Sequence, residues 1–224
     1  MLSLLRPDGK DLQAYVSFPK QASPHAIIVL QEWWGVNEQI MGVADRFADA
    51  GFLALAPDLY EGAVTADRDE ARHLMDGLDF VDAVEQGVQG SLQWALQHCE
   101  QVSVMGYCMG GVLAGMAAVR LKPLTSVICC YGIPKPALAD LGEIRIPIQG
   151  HFAVRDDWCR PEIVDEAAGI LERTGARFEF FRYDAAHGFM NETRTDVFHA
   201  EHSNRAWARM LAFLREAAAQ PTSE

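Results

Sequence analysis

The chain has 224 residues, half of them hydrophobic and 22% charged, which suits one domain with a sizeable core and excludes a disordered tail or a small stapled module. Its formal net charge of −12 disfavours a broad electrostatic hold on nucleic acid or on an anionic membrane surface. No apolar run reaches the roughly 18 to 20 residues of a bilayer span, and the opening MLSLLRPDGK lacks a basic leader followed by an apolar stretch, so a chain living in water is expected.

No repeat, low-complexity tract or linker divides the sequence, so residues 1–224 are expected to form one domain. An edge strand is expected near Leu12–Phe18. Ala26–Gln31 is a continuous apolar run fit for a strand buried on both faces, and Glu38–Ala50 follows as a helix ended by Gly51. Phe52–Ala56 is the next strand, stopped by Pro57. The stretch 67–98 is helix-patterned, with breaks at Gly77, Gly87 and Gly90. A strand at Val102–Met105 ends at Gly106 and leads to a buried helix, Val112–Leu121. Strands at Ser126–Tyr131 and Ile144–Gly150, an amphipathic helix at Glu162–Thr174, a strand at Arg177–Tyr183 and a last helix at Val197–Ala219 complete the chain. The alternation predicts an α/β fold, a mostly parallel sheet with helices on both faces, whose chemistry sits in loops after the C-terminal ends of strands.

Five cysteines, at 99, 108, 129, 130 and 159, are odd in number and unevenly spaced, which argues against a disulfide framework and for a reducing compartment, the cytoplasm by default. One of them stands out. In Val102-Ser-Val-Met-Gly106-Tyr-Cys108-Met-Gly110-Gly111 a strand runs through a small-x-nucleophile-x-small turn straight into an apolar helix, the pattern of a nucleophile elbow with cysteine in the usual serine position. Residues two before and two after the nucleophile must be small, because larger ones collide in so tight a turn. Cys108 then projects at a helix N-terminus, where amide groups and the helix dipole favour thiolate. The GxGxxG and GxxxxGK[ST] nucleotide-binding spacings are absent.

A cysteine nucleophile needs a base and a group to orient that base. His187 follows a predicted strand in Tyr183-Asp-Ala-Ala-His187, and Asp156 and Asp157 leave another in between, giving the nucleophile, acid, base order of α/β-hydrolases. Either acid satisfies that order. Acyl transfer also needs donors for an oxyanion: the amide after the nucleophile, Met109, and one from the loop after an early strand, Trp33. Trp34 would line a flat apolar pocket beside it. Glu32, a carboxylate at the mouth of an apolar strand, needs a partner.

The segments Gln31 to Asn37, Ala56-Pro-Asp-Leu-Tyr60, Gly106 to Gly111, Tyr131-Gly132, His151 to Trp158 and Ala186-His-Gly-Phe189 together resemble the dienelactone hydrolase family over most of the chain. The resemblance implies an α/β-hydrolase fold and a cysteine hydrolase that opens a small lactone or ester in bacterial breakdown of aromatic compounds. It implies Cys108 as nucleophile, His187 as base and then acid, and Asp156 as orienter. Glu32 would lie near the resting thiol and help to activate it.

The family also binds a substrate carboxylate with arginines, and here the pattern departs. Asn191 stands where an arginine would follow the histidine, while Arg68 or Arg72 matches the other substrate arginine. That departure leaves a neutral ester or other carbonyl compound as a rival substrate, and a non-catalytic binding protein on the same scaffold as a rival of another class. No cofactor is called for. His199 and His202 share a helix face without accompanying acid or cysteine ligands, and Cys129-Cys130 alternate across a strand, so no metal site is expected. The partner expected is a small lactone or ester, with the oligomeric state open.

Overall fold

A computed structural model describes residues 1–219. Among them the strands are β1 (Leu2–Leu5), β2 (Asp11–Ser17), β3 (His25–Leu30), β4 (Leu53–Pro57), β5 (Gln101–Tyr107), β6 (Ser126–Cys130), β7 (Ile148–Arg155) and β8 (Phe178–Ala186). They make one sheet in the order β1-β2-β4-β3-β5-β6-β7-β8. β2 pairs antiparallel with β1 and β4, and every other neighbouring pair is parallel. This is the α/β-hydrolase fold. The helices are α1 (Glu38–Asp49), α2 (Arg68–Gly77), α3 (Phe80–Asp82), α4 (Gln89–Leu96), α5 (Met109–Arg120), α6 (Pro161–Thr174) and α7 (Ala200–Ala218). None of them is long and apolar enough to cross a membrane.

The sheet divides the interior into two apolar cores. All six residues of β3 are buried, and Ala26 to Leu30 alternate between the two: Ile27 and Val29 belong to the core that includes Phe47 of α1 and Met210 and Phe213 of α7, while Ala26, Ile28 and Leu30 belong to the one that includes Leu92 of α4, Leu113 of α5 and Leu171 of α6. A strand covered on both sides has no polar face to present, which is why Ala26–Leu30 is an unbroken apolar run. Helix ends are set locally: the Asn37 side chain accepts from the Ile40 amide at the start of α1, and Gly175, at φ 69°, closes α6 in the left-handed conformation.

Several elements differ from expectation. The helical stretch 67–98 breaks after Gly77, at Leu78 and Asp79, but Gly87 and Gly90 lie inside a continued helix whose turns over Ala83–Val88 are π-helical. Those two glycines serve close packing: a Cβ would stand 2.8 Å from the Leu59 side chain at Gly87 and 2.8 Å from the Leu5 carbonyl at Gly90. β1 was not foreseen, its four residues, all but Leu4 exposed, being too few to show a pattern. The strand expected at Ile144–Gly150 is β7, shifted to Ile148–Arg155, because Leu141–Glu143 form a 3₁₀ turn whose capping bond seats Ile144 in the core ahead of Pro147.

Candidate active site

The C-terminal ends of β3, β5, β6, β7 and β8 converge on one cleft. β3 runs out into Gln31, Glu32, Trp33 and Trp34; β5 into Cys108; β6 into Tyr131; β7 into Asp156; and β8 into His187. This is where a parallel sheet leaves room for a ligand. Glu32, Trp33, Trp34, Cys108 and His187 line a cavity of about 240 Å³.

Cys108 occupies the elbow. It has φ 55° and ψ −117°, a conformation L-residues rarely adopt, and immediately precedes α5. The strain is held by its surroundings. The Cys108 amide donates to the Cys130 carbonyl at 2.9 Å, and its own carbonyl accepts from Gly111 at 3.0 Å. A Cβ at Gly106 would strike the Gly110 backbone, one at Gly110 the Leu30 carbonyl, and one at Gly132 the Cys108 carbonyl. The first two glycines were foreseen from spacing; Gly132, in the neighbouring strand's loop, was singled out only within a segment of resemblance and given no role.

His187 reaches back to the elbow with its Nδ1 fixed 2.8 Å from Asp156 Oδ2. The Asp156 side chain is wholly buried, and its Oδ1 accepts from the Trp158 and Cys159 amides at 2.8 Å each. Asp157 is exposed at the cleft rim and makes no such bond to the histidine. Burial opposes a charged imidazole, but the Cys108 sulfur, hydrogen bonds with Asp156 and Cys108, and the Asp156 charge outweigh it and lift His187 to about 10. Cys108 is half-buried, whereas the other four thiols are buried; burial pushes Cys129 and Cys130 far above the usual thiol range and Cys159 up to about 12.

Glu32 has found partners, though not the thiol. Its Oε1 accepts from Tyr131 Oη at 2.7 Å and its Oε2 from Asn191 Nδ2 at 2.8 Å. The Asn191 side chain is thus engaged within the protein. It is buried, and its own Oδ1 accepts from the Thr193 amide at 3.0 Å and hydroxyl at 2.7 Å, so both ends of the amide are engaged. Tyr131, at φ 36°, also sets its ring edge-on to His187, with centroids 5.1 Å apart. Sequence reasoning gave Tyr131 no task; the signal available was a tyrosine next to a glycine at a strand end.

Of the two candidate arginines, Arg68 lines the cleft and Arg72, one turn further along α2, is exposed and does not. Two others line it unforeseen, Arg155 and Arg194, along with Trp158, whose ring stands edge-on to Trp33. Each arginine has an acidic neighbour: Arg155 pairs with Asp184, Arg194 with Asp196 at 2.7 Å, and Arg68 lies 4.0 Å from Asp196. His199 caps α7 by accepting from the His202 amide at 3.4 Å, with the two rings stacked. Among the described residues no group of three His, Cys, Asp or Glu is placed to hold a metal ion.

The dienelactone hydrolase family model matches residues 12–218. A curated relative, "Protein usf" of Aquifex pyrophilus, is 31% identical over 93% of this chain and 95% of its own length. A protein of Aquifex aeolicus named "Putative carboxymethylenebutenolidase" is 28% identical over 93% of this chain and 94% of its own. Among solved structures, one described as "Putative Dienelactone Hydrolase" from Klebsiella pneumoniae superposes with a TM-score of 0.82 at 26% identity, covering 96% of this chain and 97% of that one. The elbow, the acid and histidine behind it, and a match running nearly end to end agree: the chain belongs to the dienelactone hydrolase family.

Proposed function

We propose that this protein hydrolyses a small carboxylic ester or lactone through a thioester on Cys108, with His187 as the proton carrier and Asp156 holding the imidazole in its working tautomer and orientation. One observation carries the reading: a cysteine at positive φ on a strand-to-helix elbow shares a cleft with a histidine whose far nitrogen lies 2.8 Å from a buried carboxylate. With Nδ1 committed to Asp156, Nε2 is the nitrogen left for the sulfur.

The thiol proton passes to His187 Nε2, and the Cys108 sulfur attacks the carbonyl carbon, forming a C–S bond. The oxygen that becomes an anion lies between the Met109 amide, free of any helical partner as the first residue of α5, and the Trp33 amide. Collapse breaks the C–O bond, and the imidazolium gives its proton to the departing alkoxide; in a lactone that oxygen stays tethered. Once sulfur is acylated it carries no charge, the chief support of the elevated imidazole is gone, and His187 becomes a base able to take a proton from water. Hydroxide adds to the thioester, the C–S bond breaks, and the proton returns to the thiolate–imidazole pair. The chain itself supplies every group in this sequence. Glu32, buried and held by Tyr131 and Asn191, acts here by fixing Tyr131 against the His187 ring rather than by touching sulfur.

The test is turnover of p-nitrophenyl acetate by the native chain and by Cys108→Ala, with mass spectrometry of the acid-quenched native enzyme. Loss of turnover with the fold intact, and an acetyl adduct on the Cys108 peptide, are expected. Full turnover by Cys108→Ala would overturn the reading. An uncharged substrate is a second reading, favoured by the acidic neighbour that each cleft arginine already has.

A further inference from the structure

Cys108 and His187 border two cavities. The first holds the arginines. The second, also about 240 Å³, is walled by Phe80, Met109, Val112, Ile133, Leu138 and Ile163, with Met75 and Trp158 common to both. Apart from the catalytic pair, Tyr131 and Cys159, its side chains with a polar end are Trp158, through its indole N–H, and Lys135, which is exposed. Phe80, Val112 and Ile163 are only half-buried and Leu138 is exposed, although all four are apolar and come from four separate segments: α3, α5, the loop after β6, and α6. Isolated exposed apolar residues need no explanation, but four converging on a reactive sulfur form a continuous patch in the place where a ligand pocket is expected.

We infer that this groove is a substrate subsite, and that the ester taken by the enzyme carries an apolar arm, of alkyl or aryl chemistry, which lies along Val112, Leu138 and Ile163 while its polar portion faces the arginine side. The occupant follows from continuity: the groove begins at Cys108, so whatever fills it is attached to the carbonyl under attack. Water in such a groove has few hydrogen-bond partners in the wall and is readily displaced by hydrocarbon. The inference rests on the ester-hydrolase reading, and its test is arranged so that the two fail separately.

The experiment measures kcat/KM along two series, p-nitrophenyl acetate, butyrate and hexanoate for an acyl arm, and ethyl, butyl and hexyl acetate for a leaving-group arm. Burying one methylene contributes roughly 0.8 kcal/mol, so kcat/KM is expected to climb about four-fold per added methylene along one series until the groove is full. Leu138→Asp, at an exposed position, and the more conservative Ile163→Thr, at a half-buried one, should flatten that climb, each acting on the ratio of long to short substrate within one protein. A native enzyme that turns over both acetates but is flat along both series overturns the subsite and leaves the hydrolase reading standing. A climb that persists undiminished in both variants also overturns it, because the preference would then not come from this groove. Absence of turnover throughout defeats the hydrolase reading first.

Discussion

Replacing Cys108 with alanine tests the electrostatic heart of the site without any substrate. Three histidines of this chain are poor in solvent, and they titrate very differently. Burial pushes His25 down to about 4 and His151 down to about 3; their ring partners are a hydroxyl on Ser103 for the former and Tyr183 and Gln149 for the latter, with no carboxylate among them. Burial lowers half-buried His187 as well, yet it reaches about 10, because Cys108 and Asp156 raise it. Removing the sulfur takes away the largest of the influences that raise His187 and leaves Asp156 in place. A charge partner at this range accounts for roughly 1–3 pH units, so His187 in Cys108→Ala should titrate between about 7 and 9. The assay is the pH dependence of the His187 Cε1–H resonance in both proteins. The sign for stability follows: a pKa raised above the ordinary 6.5 stabilises the fold fully below that value, and the contribution fades as pH rises through about 10. The native chain's advantage over Cys108→Ala should therefore close in strongly alkaline buffer. If His187 still titrated near 10 without the sulfur, Cys108 would not be its partner and the thiolate–imidazolium argument would collapse.

The Glu32 carboxylate depends on its two donors, so Asn191→Leu and Tyr131→Phe should each cost about 1.5–3 kcal/mol, the worth of a hydrogen bond to a charged group. For a chain of this length that lowers Tm by roughly 3–12 °C, read by calorimetry; a variant within about 1 °C of the native Tm would mean that the donor it removes does not carry the buried charge.

What could be read from residues alone follows from how many constraints each feature obeys. The elbow was legible because Gly106 and Gly110 are sterically compelled, each facing backbone that a Cβ would strike. β3 was legible because burial on both faces favours an apolar run, here Ala26–Leu30. Gly87 and Gly90 misled because a glycine that allows two segments to touch looks, in sequence, like one that ends a helix. Asn191 looked like a lost substrate contact because its spacing from His187 was visible and its burial was not. Ile163 and Val112 were assigned to helix faces without any hint of a groove, since a half-buried apolar side chain over a cavity follows the same periodicity as one over core. Arg155 and Arg194 escaped notice for a related reason: both reach the cleft from loops and strand ends, where no periodicity reports direction.

Arg194, a few residues beyond Asn191, borders the cleft and already feels the Glu32 charge. Its guanidinium is held first by Asp196, at 2.7 Å, and Asp196 is more than half exposed. An ion pair in that setting is worth only about 0–1 kcal/mol, because solvent screens it and two long side chains must be ordered to form it. A substrate carboxylate could thus take Arg194 from Asp196 at little cost, yet gains little by doing so, since it exchanges one acid for another. The consequence is a weak charge preference. Between an anionic lactone and its uncharged methyl ester, kcat/KM should differ by less than about ten-fold in either direction, and Arg194→Gln should shrink that difference further. A preference of about a thousand-fold for the anion would show that Asp196 does not neutralise Arg194 in the working enzyme, and the argument from paired arginines would have to be abandoned.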